Sequence, residues 1–271
     1  MLKDVTLGQF LPGSSPIHKL DPRAKIIFLI AIIVYIFITA NYFALGATAA
    51  FVIFIMLMTR IPIKMYLKSM RMILFILLFT GIINLFYGRG EPLVQLGFLK
   101  ITEAGINNAV FVAVRIALLI IASSVLTFTT SPTDLTDAIE RLLKPLTIFR
   151  IKVHEIAMMM TIALRFVPTL LEETDKIMSA QKARGADMES GGLTRRIKSI
   201  IPVLIPLFVS AFRRASELAT AMECRCYQGG SGRTRMKSLH FGRIDFISLI
   251  VCIVVLAGVI LCNMFLPAAV R

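Results

Sequence analysis

The sequence predicts an all-α, multi-pass membrane protein with about five transmembrane helices and a further helical region in the cytoplasm. Of its 271 residues, 57% are hydrophobic, and the mean hydropathy is +0.81. Only 17% are charged, against about 25% in a typical soluble domain. The net charge of +14 does not indicate nucleic-acid binding, because the basic residues separate long apolar runs and suit cytoplasmic loops beside lipid headgroups.

Uncharged runs locate the predicted spans. Residues 26–59 hold 34 positions without a charge, and one helix of that length would measure about 50 Å, more than the roughly 30 Å of the hydrocarbon core. Two short spans joined near Thr39–Phe43 fit the membrane better. Three more spans are predicted at 72–88, at 107–128, where Arg115 is the one charge, and at 246–270.

Loop charges orient these five spans. The N-terminal segment, residues 60–71 and residues 129–244 are basic, which places them in the cytoplasm. The N-terminus is then cytoplasmic and the C-terminus lies outside the cell membrane. The predicted domains are an N-terminal membrane region with four spans (1–128), a cytoplasmic region (129–244) and a final transmembrane helix (245–271).

The cytoplasmic region reads as three helices. Ser131-Pro132-Thr133-Asp134 predicts a helix start, with Ser at the N-cap and Pro at the first helical position. Residues 154–184 and 193–226 predict two long helices, in which Pro168, Pro202 and Pro206 indicate kinks or breaks. We place both in the cytoplasm or at the membrane surface, since spanning would put many cations outside.

The two long helices end alike. Ala183-Arg184-Gly185 aligns with Cys224-Arg225-Cys226 at an offset of 41 residues, each Arg lying between two small residues. One interpretation is general, because cations near helix C-termini suit the helix macrodipole. The other is that each Arg projects into a groove of a paired partner.

These segments carry a family resemblance that covers the whole chain. The N-terminal Gly8-Gln9-Phe10-Leu11-Pro12-Gly13 with His18-Lys19-Leu20-Asp21-Pro22-Arg23, the two Arg motifs, and the tail through Gly232-Arg233-Thr234-Arg235 resemble the transmembrane T component of energy-coupling factor (ECF) transporters. Cys224 is a small departure from the second motif of many relatives.

The resemblance implies a scaffold subunit of an ATP-driven vitamin-uptake transporter. Such a subunit binds two ABC-type ATPase subunits through the helices that end in the Arg motifs, and it binds a membrane S component that captures the vitamin or metal ion. The tail resembles the shared type, which serves several S components. The implied ATPase-coupling residues are Ala183, Arg184, Gly185, Cys224, Arg225 and Cys226.

The residues agree with a non-catalytic subunit that binds no cofactor or metal itself. No phosphate-binding Gly-x-x-x-x-Gly-Lys-Ser/Thr loop occurs, so ATP would be used by partner subunits. The four Cys and three His do not form a metal-ligand pattern. The alternative function is a stand-alone secondary transporter or channel, in which Arg115 could bind an anion; pairing of Arg115 with a carbonyl is the other interpretation.

Methionines on the first long helix allow two interpretations. Met side chains adapt to varied partners, so these four could form a contact surface for S components: Met158, Met159, Met160 and Met178. Plain core packing would also explain them.

Overall fold

The computed structural model describes residues 9–86, 92–96, 99–186, 192–229 and 240–265. These residues form two compact units, one holding residues 9–135 and 240–265 and the other holding residues 136–229. Both are built almost entirely of helices, which confirms the predicted all-α class. The helices are α1 (Pro16–Lys19), α2 (Pro22–Ile38), α3 (Tyr42–Met58), α4 (Ile63–Phe86), α5 (Glu103–Thr129), α6 (Pro132–Leu143), α7 (Val153–Ala183), α8 (Leu193–Cys224) and α9 (Arg243–Phe265).

The first uncharged run forms two short helices, as predicted. Helices α2 and α3 have 17 residues each, or about 26 Å at the α-helical rise, and they are separated by Thr39–Asn41. Asp21 caps the N-terminus of α2, because its carboxylate accepts a hydrogen bond from the N–H of Arg23, and Pro22 takes the first helical position.

Helix α5 lies at the centre of the first unit and packs against α2, α3 and α4. Phe111, Leu118 and Ala122 of α5 join Ile36 of α2 and Val52 of α3 in a buried apolar cluster. A second cluster surrounds Phe128, whose ring meets that of Tyr66 edge-on at 5.3 Å. These contacts fix the membrane helices around α5.

Two features of the first unit differ from the sequence predictions. Residues 72–86 of the span predicted at 72–88 form the second part of α4, and residues 87–88 lie outside the described residues. Helix α4 begins at Ile63 and so includes residues that the sequence predicts as a charged loop. Lys64, Lys68 and Arg71 recur at helical spacing and are exposed. A short antiparallel hairpin of β1 (Pro92–Leu96) and β2 (Leu99–Thr102) precedes α5 and was not predicted.

In the described part of the chain, four helices are long and apolar enough to cross a membrane: α5, most of α8, α7 and α9. Helix α4 adds a fifth if its two parts, bent by 60°, are one span. This agrees with a multi-pass membrane protein, but the helices are not the predicted set. Helices α7 and α8 meet the criterion, whereas α2 and α3, with 17 residues each, are shorter than it requires. The position of α7 and α8 relative to the membrane stays a prediction.

Helix α6, in which the two units divide, begins as predicted. The Ser131 hydroxyl accepts a hydrogen bond from the Asp134 N–H at 3.1 Å and donates to the Asp134 carboxylate at 2.7 Å. The first bond is that of an N-cap Ser to the third helical residue, and the second joins the two side chains. A 3-10 helix, Lys144–Phe149, follows.

The second unit consists mainly of the two long predicted helices. Pro168 lies inside α7, and Pro202 and Pro206 lie inside α8. Neither helix is interrupted at these residues, so the alternative of local breaks was wrong.

Candidate functional site

Arg184 occupies the C-cap position of α7. The N–H of Gly185 donates to the Lys182 carbonyl at 3.0 Å, and the N–H of Ala186 donates to the Gln181 carbonyl at 3.0 Å. These two bonds form a Schellman motif, which requires a left-handed residue after the cap. Gly185 takes that conformation, with φ of +85°.

Arg225 occupies the same position on α8. The N–H of Cys226 donates to the Glu223 carbonyl at 2.8 Å, and the N–H of Tyr227 donates to the Met222 carbonyl at 3.1 Å. Cys226 is left-handed, with φ of +54°, although it is not glycine. The offset of 41 residues seen in the sequence therefore corresponds to one repeated backbone geometry.

The residues of both motifs are exposed. Ala183, Arg184 and Gly185 are exposed at the end of α7, and so are the three residues from Cys224 to Cys226. Both of these cysteines are free thiols. Over the described ranges, no side-chain hydrogen bond or ion pair engages either guanidinium. Each Arg can thus offer its five donors to another molecule.

Three contacts show that α7 and α8 pack antiparallel. Tyr227 donates to Met158 at 2.9 Å, Arg214 donates to Glu173 at 2.9 Å, and Gln181 donates to the Pro202 carbonyl at 3.4 Å. As the residue number of the contact increases along α7, that of its partner on α8 decreases. The two Arg motifs therefore lie at opposite ends of the pair.

Arg184 and Arg225 are equally far along their helices from the contact between Glu173 and Arg214. Arg184 comes 11 residues after Glu173, and Arg225 comes 11 residues after Arg214. At the α-helical rise, each Arg is about 16 Å along its helix from the Glu173–Arg214 contact, and the two are about 33 Å apart. The sequence predicted the two ends but not this geometry.

An apolar stripe follows α8. Ile201, Ile205, Phe208 and Phe212 recur at the spacing of one helix face and are 46%, 59%, 60% and 72% exposed. Ile148 and Phe149, in the 3-10 helix, are about as exposed, at 81% and 78%. The sequence analysis did not single out these residues, although their helical periodicity would have revealed the stripe. A surface of this kind indicates contact with lipid or with another protein.

The four predicted Met residues do not behave as a core cluster. Met159 and Met160 are 61% and 40% exposed, while Met158 and Met178 are partly buried. Met158 accepts the hydrogen bond from Tyr227. Plain core packing is therefore wrong for Met159 and Met160, and S-component contact stays a prediction for all four.

Comparison with known proteins decides the family. The model of the CbiQ family, described as a cobalt transport protein, matches residues 13–237. The chain belongs to the CbiQ family. It is 54% identical over 261 residues to a protein of Ruminiclostridium cellulolyticum named energy-coupling factor transporter transmembrane protein EcfT, covering 96% of this chain and 98% of that protein. Proteins of the same name in Clostridium kluyveri and Bacillus subtilis are 48% and 43% identical, again over 96% of this chain and 98% of each relative.

These relatives confirm the resemblance drawn from the sequence and support a transporter transmembrane component. Their names do not describe the role of the Arg motifs. Of the segments that carried the resemblance, Gly8 and the tail from Gly232 to Arg235 lie outside the described residues.

The N-terminal segment of this CbiQ-family chain is held by polar contacts that are partly or fully buried. The Lys25 ammonium donates to the carbonyls of His18 and Thr129 at 3.2 and 2.9 Å. The imidazole Nε2 of His18 lies 3.1 Å from the Leu11 carbonyl, and its Nδ1 lies 2.6 Å from the Ser15 hydroxyl. Burial lowers the pKa of His18 below its ordinary value of 6.5, and the Lys25 charge adds to this. These contacts join the N-terminal segment to the first turn of α2 and to the last residue of α5.

Arg115 pairs with a backbone carbonyl, as one interpretation predicted. Its Nη2 donates to the carbonyl of Thr39, the C-cap of α2, at 2.7 Å. Its guanidinium also lies 4.9 Å from the centre of the Phe111 ring. Asn84, another polar residue in a predicted span, donates to Thr80 in its own helix.

The described residues contain no group of three or more His, Cys, Asp or Glu side chains placed to hold a metal ion. His154, next to Glu155 in the sequence, instead contacts Glu140 at 2.9 Å. In the described part of this CbiQ-family chain, His154 and Arg115 thus serve structural contacts, whereas Arg184 and Arg225 are exposed at helix ends.

Proposed function

We propose that this chain is the transducing subunit of an ATP-driven vitamin-uptake ECF transporter. Its two Arg motifs bind two ABC-type ATPase subunits, and its exposed apolar surfaces bind a membrane S component that carries the substrate. The chain passes movement of the ATPases to the S component and performs no chemistry itself. It binds no cofactor; ATP is used by the partner subunits.

The observation that carries this proposal is the matched geometry of the Arg motifs. Two exposed Arg residues occupy the C-cap positions of helices that end in the same hydrogen-bond pattern, and they lie at opposite ends of one antiparallel helix pair. Two similar ends suit two similar partners. A cleft lined by carboxylates or carbonyls is the expected receptor, since the planar fork of Arg matches such acceptors.

The S component would contact the apolar surfaces of α7 and α8. Met159 and Met160 supply flexible side chains, which tolerate partners of different shape. This property suits a shared module that accepts several S components. The substrate itself would be chosen by the S component.

The proposal includes an orientation. With the N-terminus in the cytoplasm and the C-terminus outside, the basic region at 129–244 faces the ATPases and the anionic inner leaflet.

The stand-alone transporter is weaker as an alternative. Arg115 was its candidate anion-binding residue, whereas that guanidinium binds the Thr39 carbonyl and faces the Phe111 ring. The names of the relatives also favour a component of a larger transporter.

The proposal is tested by purifying the N-terminally tagged chain from its native membrane in mild detergent and identifying what remains bound. We expect two ABC-type ATPases and at least one small membrane protein. Arg184→Ala and Arg225→Ala should each weaken ATPase retention at least about thirtyfold, which corresponds to the loss of about 2 kcal/mol or more expected when one partner of a desolvated charge pair is removed. Arg213→Ala, which removes another exposed Arg of α8, is the matched control.

Full ATPase retention and full uptake in the Arg184→Ala, Arg225→Ala double variant would overturn the coupling role. Solute transport by the chain alone in liposomes, without ATPases, would favour the stand-alone transporter.

A further inference from the structure

Glu173 of α7 is held by two side chains of α8. The Ser210 hydroxyl donates to one carboxylate oxygen of Glu173, and Nη2 of Arg214 donates to the other. The Glu173 side chain is 23% exposed and that of Arg214 is 41% exposed. Both carboxylate oxygens are thus engaged at a partly buried contact between the helices.

This contact has the same sequence offset as the Arg motifs. Glu173 and Arg214 are 41 residues apart, as Arg184 and Arg225 are. In an antiparallel pair, contact positions rise on one helix while they fall on the other. A residue of α7 can therefore lie opposite the α8 residue 41 positions later at one point along the pair only. That point is the centre of a local two-fold relation between the helices.

The charges near this centre are inverted between the two helices. At the offset of 41, Glu172 aligns with Arg213, and Glu173 aligns with Arg214. Lys176 aligns with Glu217 and Lys182 with Glu223, again with opposite signs. Arg184 and Arg225 share one sign. Opposite charges allow Glu173 and Arg214 to contact each other at the centre, where like charges would repel. The two ends both keep an Arg.

We propose that Glu173 and Arg214 form the pivot of the α7–α8 pair, a positioning contact that sets the distance between Arg184 and Arg225. Ser210 holds the carboxylate in the orientation that Arg214 needs. This inference rests on the proposed function for its consequence, which is that two ATPases must meet the two Arg ends at a fixed separation.

The distance between the ends is measured directly by electron–electron double resonance on the full chain. Spin labels are attached to p-acetylphenylalanine at Ser179 and Thr220, which are exposed and themselves 41 residues apart; this chemistry leaves the native cysteines unchanged. Glu173→Arg and Arg214→Glu should each widen the distance distribution at least about twofold, because each places like charges at the pivot. The double charge swap should restore the narrow distribution.

The neighbouring pair provides a matched control. Glu172 and Arg213 have the same charges and the same offset but are exposed, so their single variants and their swap should leave the distribution unchanged. Glu173→Gln keeps the shape of the side chain and serves if the charge reversals do not fold. It should widen the distribution by a smaller amount.

ATP-driven uptake gives the functional readout. The single reversals should reduce uptake at least about tenfold while both ATPases stay bound, and the swap should recover it. An unchanged distance distribution in both single variants, or a swap that fails to restore it, would overturn the pivot. The distance measurement needs no ATPase, so the two proposals can fail separately. If the proposed function is wrong and the pivot is right, the wild-type chain will retain no ATPase but will still show the expected distance changes.

Discussion

The backbone N–H of Asp21 donates a 2.8 Å hydrogen bond to the carboxylate of Asp245, although 224 residues separate the two. The other carboxylate oxygen of Asp245 accepts from the N–H of Gly242 at 2.7 Å. Asp245 is 5% exposed. One buried carboxylate thereby joins the start of α2 to the start of α9.

Replacing Asp245 with Asn should destabilise the chain. Asn has one acceptor oxygen for two N–H donors, of which that of Asp21 is buried, and an unsatisfied buried donor costs about 1–3 kcal/mol. We expect the unfolding midpoint, followed by circular dichroism in mild detergent, to fall in Asp245→Asn. Glu217→Gln removes an exposed carboxylate and should leave it unchanged. Equal midpoints in the two variants would contradict the structural role of Asp245.

The stability of the N-terminal segment should depend on pH through His18. Because its folded pKa lies below the ordinary 6.5, the unfolded chain binds the proton more readily than the folded chain does. The stabilising contribution is therefore complete above about pH 6.5 and is lost as the pH falls below it. His18→Gln should flatten this part of the profile of unfolding midpoint against pH. The same change at the exposed His240 is the control, and an unaltered profile in His18→Gln would contradict the assignment.

Much of the local structure could be predicted because it depends on neighbouring residues. Ser131 and Pro132 predicted the start of α6, and Gly185 predicted the end of α7. The joint near Thr39 followed from the length of an uncharged run compared with the thickness of a bilayer.

The remaining structure depends on packing between distant segments. The Asp21–Asp245 bond has no local signature. The first part of α4 was missed because its three cations suggested a loop, whereas Tyr66, buried against Phe128, anchors it as an amphipathic helix. The pivot was missed because the sequence showed the offset of 41 but did not show that α7 and α8 are antiparallel.

Gly185 and Cys226, the left-handed residues that follow the two helix C-caps, should respond oppositely to substitution. Gly185→Ala should lower the free energy of unfolding by about 1 kcal/mol, since a side chain is unfavourable at positive φ. No heavy atom lies within 4 Å of the added Cβ, so steric overlap would not contribute. Cys226→Gly should stabilise the α8 cap by a similar or smaller amount. Thermal unfolding of both variants beside Gly46→Ala, an open helical position with ordinary φ, checks this. A destabilised Cys226→Gly would show that the thiol contributes more than the backbone strain costs.

Arg115 should matter for folding rather than for substrate recognition. Its guanidinium donates to the Thr39 carbonyl and lies on the Phe111 ring, so Arg115→Met removes both contacts and leaves the C-cap carbonyl of α2 without that donor. We expect the free energy of unfolding to fall by about 1–3 kcal/mol. Arg115→Lys should recover part of this loss, because an ammonium can still donate but lacks the planar fork. Uptake measured per folded transporter should keep its apparent KM in both variants, because the proposed function assigns substrate choice to the S component. A large rise in KM at unchanged stability would instead make Arg115 a substrate-binding residue and revive the stand-alone transporter.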